Sequence, residues 1–172
     1  MKSKKELMIL DWTRKIHQLE YAHCFESLMY TRINTYLSIF TLVITTLVAS
    51  SYQFPKISVE EYNKLFFIFK QEYFVSIFST IAALSTAILT FLRPSEKSEE
   101  HRKIGLEYEK LRHELEKLFS YNLTESSIEF NVNQIKEKWD SLSTKHVTQC
   151  NYNKSRKFVK KFGYPTPMSF II

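Results

Sequence analysis

Few side chains in this sequence are placed to do chemistry. The five histidines, His17, His23, His101, His113 and His146, stand without cysteine or carboxylate partners at metal-ligand spacing. His23 precedes Cys24, which suggests a base beside a nucleophile, but neighbours in a helix point apart and cannot share a reaction centre. The two glycines, Gly105 and Gly163, stand alone, so neither a P-loop nor a GxGxxG turn can form. No catalytic residue, metal site or cofactor is expected, and the chain is read as a non-enzyme. Two cysteines, Cys24 and Cys150, are too few for a disulfide framework.

Two other groups of residues carry possible function. Asn34, Ser38, Thr41 and Thr45 share one helical face, and Ser76, Ser79, Ala83, Thr86 and Thr90 recur at three-four spacing further on. Such small and hydroxyl-bearing stripes either pack helix against helix or line the wet face of an oligomeric pore, which one hairpin cannot enclose. Near the end of the chain Lys154, Arg156, Lys157, Lys160 and Lys161 alternate with Tyr152, Phe158, Phe162 and Tyr164. Basic and aromatic residues interleaved in this way hold a nucleotide or single-stranded nucleic acid. The same composition binds an anionic inner leaflet, the commoner use beside a membrane. The net charge of +6 fits an anionic partner in both cases.

These residues are set on a chain of 172 residues with 44% hydrophobic and 24% charged side chains. A mean hydropathy of -0.24 suggests a soluble protein, but charge is missing from two long runs and crowded elsewhere. No charge falls between Arg32 and Lys56, or between Glu72 and Arg93. Each run, as a helix, spans roughly the 30 Å of a bilayer core. Two such helices would exhaust the core of a small soluble bundle, so spans at about 33–54 and 73–92 are expected. The first run follows some thirty polar residues and lacks a cleavage pattern, so it is not a secretory signal. Lys2, Lys4, Lys5, Arg14, Lys15 and Arg32 precede the first run, and most other basic residues follow Leu92. In the connecting segment Lys56, Lys64 and Lys70 are balanced by Glu60, Glu61 and Glu72. That asymmetry puts both termini in the cytoplasm. Ser58 and Glu61 form a capping-box pattern that opens an interfacial helix over 58–71, beside Tyr52 and Phe54.

The remaining elements also read as α-helices. Residues 1–31 form a less regular amphipathic helix through Leu7, Ile9, Leu10, Ile16, Leu19 and His23. Ile104, Tyr108, Leu111, Leu115 and Leu118 alternate by four and three, and Ile128, Val132, Ile135, Trp139 and Leu142 repeat the pattern. A cytoplasmic helical hairpin over 93–150 follows, with apolar edges left over for neighbouring copies, and a basic aromatic tail over 151–172. The expected architecture is therefore all-α: a transmembrane hairpin over 32–92 between polar helical segments. The excess seam predicts a homo-oligomer, with a tetramer as the expected assembly. The glycosylation sequons at Asn122 and Asn153 fall on the cytoplasmic side, where they carry no meaning.

A polar helix ending in YTRINTYLSIFTLVITTLVAS, a second span, and the run FLRPSEKSEEHRKIGLEYEKLRHELEKL together resemble the SLATT family. The matching signature runs from Arg93 through His101, Tyr108, Leu111 and Arg112, and the resemblance covers roughly residues 10–120. It implies a two-span effector of bacterial anti-phage defence in the inner membrane. It also implies a pore or ion channel governed by a nucleotide or oligonucleotide from a partner nucleotidyltransferase. His101 and Arg102 at the root of the cytoplasmic helices, and Arg156, Lys157, Lys160 and Lys161 in the tail, are the candidates for the anionic ligand. The rivals are a non-conducting anchor that recruits a partner through its cytoplasmic helices, and a holin-like phage lysis protein.

Overall fold

The computed structural model describes residues 4–51, 70–120, 125–142 and 145–161. Among them the regular elements are all helices: α1 (Lys4–Ser51), α2 (Gln71–Leu92), α3 (Pro94–Ser120), α4 (Glu125–Ser141) and α5 (Gln149–Lys160). The expected interfacial helix at 58–71, with Tyr52 and Phe54, lies outside the described residues except for its last two positions. Contacts divide the chain into two units, one of residues up to Met29 with those from Glu96 onward, the other of Tyr30–Ser95.

No Pro or Gly interrupts the sequence from Lys4 to Ser51, and α1 runs through as one helix past the boundary expected near residue 31. α2 stops where Arg93 turns to φ 44° and ψ 53°, its N–H bonding to the Leu89 carbonyl. A side chain at positive φ is strained. Pro94, which lacks an N–H and has a helical φ, starts α3 at the position helices favour for proline.

The larger unit is held by a three-helix core. Ile9 and Ile16 of α1 meet Ile104, Tyr108, Leu111 and Leu115 of α3 and Val132 and Ile135 of α4. Trp12 and Trp139 close its edge, edge-to-face at 5.8 Å. Both expected seams are thus core, apart from Ile128, whose side chain is not among those described. α1 supplies a third face to the described seams and leaves Leu115 0% exposed, while Leu118, Trp139 and Leu142 stay partly buried, so less of the seam is left over than two helices alone would leave. The supposed tail is also ordered from Gln149 to Lys160. α5 buries Asn151, Ser155 and Val159, spaced by four, and packs Phe158 on Tyr21 at 4.7 Å.

α1 and α3 run antiparallel within this unit, since Ser27 pairs with Ser98, His23 with His101 and Glu20 with Arg112. Gly105 sits at their close approach: a Cβ there would meet the Glu20 carbonyl oxygen and His23 Cβ at 3.7 Å. That is ordinary contact, so Gly105→Ala fits and gains helix propensity. It is expected to raise stability by about 0.5–1 kcal/mol in denaturant titrations followed by tryptophan fluorescence. Gly105→Leu would overfill the site and destabilise. Leu115→Ala is expected to cost about 2–5 kcal/mol in the same titration, a loss within a single chain that does not vary with protein concentration.

Candidate functional site

The α1–α3 interface changes character along its length. After Ile9, Thr13 and Ile16, the same four-three spacing continues through Glu20, His23 and Ser27, all polar. His23 is 2% exposed and His101 5%. Their Nδ1 atoms lie 2.9 Å apart. One ring must donate its Nδ1–H while the other, protonated at Nε2, accepts. The Tyr108 ring stacks on His23 at 5.6 Å, and Ser98 Oγ donates to the Ser27 carbonyl at 3.0 Å. Arg112 bridges Glu20 of α1 and Glu116 of α3 at 2.8 and 2.5 Å, with all three side chains largely buried. Removing one partner from such a network strands a buried charge and costs about 3–5 kcal/mol.

Glu26 completes this layer and ties α5 to it. The carboxylate is 1% exposed, and its Oε1 accepts the Thr148 backbone N–H at 2.5 Å. Thr148 in turn caps α5, its Oγ1 accepting from Asn151 N. A negative charge at a helix N-terminus is favoured by the free N–H groups and the dipole. Burial alone would raise the Glu26 pKa. The Thr148 N–H bond and the nearby polar groups of Thr148, Asn151 and His101 outweigh it and hold the acid below its ordinary value.

The imidazoles move the other way. Burial, with Arg112 nearby, lowers His17 to about 4, and burial beside His101 lowers His23 to about 4 despite the pull of Glu26. His101 is lowered too, chiefly by burial. The layer is therefore neutral in its histidines at physiological pH. If both rings of the His23–His101 pair became charged, two N–H groups would face each other at hydrogen-bond distance.

The candidate ligand residues are scattered over this unit. His101 is locked in its pair, whereas Arg102, the next residue, points away and is clasped by Glu99 at 2.7 and 2.8 Å. The two do not form one site. Arg156, Lys157, Lys160 and Lys161 lie together on the exposed side of α5 and just past it, opposite the buried stripe. Among the described residues none forms an ion pair with them. The aromatic half of that pattern is used differently. Phe158 packs on Tyr21 and Phe25, and Lys154 lies 4.4 Å above the Phe25 ring, so neither offers an open stacking surface. Phe162 and Tyr164 are outside the described residues.

Within the unit of Tyr30–Ser95, apolar side chains face outward. Tyr36, Leu42, Leu84 and Phe91 are among the most exposed, Phe91 at 87%, while Ile44, Ser51, Ala82 and Ser85 are buried. Of the most apolar stretches of its two helices only 6% and 11% of residues are buried, unlike the core helix of a soluble protein. The chain thus has two long apolar helices able to span a membrane. Ser38, Thr45, Ser76, Ser79, Ala83, Thr86 and Thr90 are all exposed, and Asn34 and Thr41 are half-buried. Most of the stripe is left uncovered: among the described residues of α2 the buried ones are Ala82 and Ser85, about a quarter-turn away. Nor do the threonines need a neighbouring backbone. Thr41, Thr45, Thr86 and Thr90 each donate to the carbonyl four residues earlier, at 2.8–3.0 Å.

Sequence reasoning missed the buried pair, because it searched for apolar residues at helical spacing and for metal-ligand clusters. The signal was present as polar residues continuing the seam of α1. His101, Tyr108, Leu111 and Arg112, which carry the SLATT resemblance, all lie at the packed face of α3. No protein-family model, curated protein or solved structure matches the chain.

With His17 and His23 lowered from 6.5 to about 4, the unfolded chain binds more protons than the folded one between those values. Stability is therefore complete above pH 6.5, falls as pH drops through this window, and levels off below it. Glu26 adds to the loss only at the acid end. Both tryptophans lie in this unit, so their fluorescence reports its melting alone. The melting temperature is expected to fall steadily from pH 7 to pH 4.5. His23→Gln lowers it at pH 7 but flattens the slope by about one proton. A melting temperature constant across that range would contradict neutral buried imidazoles.

Proposed function

We propose that the protein is a bacterial inner-membrane effector of anti-phage defence, as the SLATT resemblance implies. It has two spans, at about 33–54 and 73–92, and both termini in the cytoplasm. Copies assemble in the bilayer into a pore or channel, and an anionic nucleotide or oligonucleotide from a partner nucleotidyltransferase acts on the larger unit. The observation that carries the membrane reading is the outward apolar surface of Tyr30–Ser95, which water would not tolerate. Threonine hydroxyls bonded to their own helix support it, because these groups need no further partner in hydrocarbon. The exposed face of Ser76, Ser79, Thr86 and Thr90 is where a second copy fits best, since small residues let helices approach closely.

One observation favours a second reading. The larger unit buries its own seam, so nothing in its core requires further copies. This suits a non-conducting anchor whose cytoplasmic helices recruit a partner.

Ion flux from liposomes separates the two. A pore gives flux, and Ser79→Leu with Thr86→Leu leaves the protein in the membrane but reduces the flux several-fold. An intact protein that conducts nothing, with or without its trigger, is the anchor. Orientation has its own check. After Cys24 and Cys150, both exposed, are replaced by Ser, a cysteine added at the C-terminus should resist impermeant reagents in intact cells. Labelling from the periplasm would overturn the topology.

A further inference from the structure

A groove of about 440 Å³ opens on the larger unit between α1, α3, α4 and the start of α5. Its size falls within the roughly 300–1,000 Å³ range of small-molecule sites. The inner wall is Leu19, His23 and Tyr108, and the two rings are stacked and almost wholly buried. Trp139, half-buried, and Tyr152, 37% exposed, add two more aromatic rings. Lys145 and His146 bring nitrogen donors, and Gln149 an amide that can both donate and accept.

We infer that this groove binds a small planar heteroaromatic ring bearing a phosphate, of the size of a mononucleotide. The partly exposed rings of Trp139 and Tyr152 supply the surface on which a base can stack, above a floor closed by the buried His23–Tyr108 pair. Lys145 supplies the charge for the phosphate. Its present partner is Glu100, and both side chains are well exposed. Such a surface pair is weak and readily exchanged for a phosphate. The basic face of α5 is a poorer place for the same ligand. It is convex, and its aromatic neighbour Phe158 is turned inward onto Tyr21. The groove is the one of the two surfaces that combines concavity, aromatic rings and a cation.

The groove also touches the features already described. His23 lies in its wall and bonds His101, and Gln149 opens the helix whose N-terminus Glu26 holds through Thr148. A ring seated there contacts both the polar layer and α5. The inference extends the proposed function by giving its regulator a place. Binding is read in detergent micelles and flux in liposomes, so either can fail alone.

The test uses the full-length protein in micelles, titrated with adenosine monophosphate and followed by tryptophan fluorescence and calorimetry. Adenosine and inorganic phosphate serve as the ring-only and anion-only probes. Saturable binding of the mononucleotide is expected, about tenfold or more tighter than either fragment, and weakening with salt. Lys145→Ala and Tyr152→Ala should each weaken it about tenfold. Lys145→Arg and Tyr152→Phe should restore most of it. Lys157→Glu with Lys160→Glu, on the α5 face, should change it less than about twofold beyond the general effect of charge. Melting curves confirm that each variant is folded; the conservative pair decides if an alanine variant is not. No saturable binding would overturn the inference. So would phosphate binding as tightly as the mononucleotide, or affinity lost in the α5-face variant but kept in Lys145→Ala.

Discussion

One helix, α1, belongs to both compact units. From Ile9 to Ser27, α1 is a partner in a protein core, with one face buried against α3, α4 and α5. From Ile33 to Ser51 it carries no charge, and most of its large side chains, Tyr36, Phe40 and Leu42 among them, are exposed on the chain. No helix-breaking residue separates the two regimes, so helicity continues while the surroundings change. Much else follows from this. The core of the larger unit is complete only because α1 enters it, and α3 can carry an apolar seam without needing further copies.

The interface that joins α1 to α3 is apolar at one end and polar at the other. Apolar layers such as Ile16 and Leu115 supply most of the stability, at about 25 cal/mol per Å² of area removed from water. The polar layers do something different. Ser27 with Ser98, His23 with His101 and Arg112 with Glu20 can be satisfied in one register only, so a slip of one turn would strand several buried groups. Glu26 extends the same device to α5, where a single buried carboxylate holds a helix start. Stability that depends on neutral imidazoles and a charged carboxylate is stability that acid removes, so the unit is fitted to neutral surroundings.

Much of this was legible in the sequence, for physical reasons. Seam positions such as Tyr108, Leu111, Val132 and Ile135 are apolar at helical spacing, and burial followed the spacing. The two uncharged runs gave the two long apolar helices. Where reading failed, a partner far along the chain decided the outcome. The third face of the core comes from residues some ninety positions before the seam it covers, as Glu20 and Arg112 illustrate. Phe158 looked like part of a stacking surface because nothing in its neighbourhood revealed that Tyr21 and Phe25 would take it. The pairing of His23 with His101 was not foreseen, because a contact across 78 positions leaves no local pattern. The groove beside them draws on four helices and a connecting segment, so no local motif marks it.

The claim on which the rest turns is that Tyr30–Ser95 is solvated by hydrocarbon. It is tested most directly with single spin labels at Tyr36, Leu42, Leu84 and Ile88 in lipid nanodiscs, measuring collision with oxygen against collision with a water-soluble nickel chelate. These side chains are all well exposed on their own chain, so the labels should not disturb its packing. Oxygen should relax every one of the four more strongly than the nickel chelate, with the contrast greatest at the sites furthest from the ends of each run. Strong relaxation by nickel at Leu42 and Leu84 would mean that these helices are open to water, and that the chain does not span the membrane.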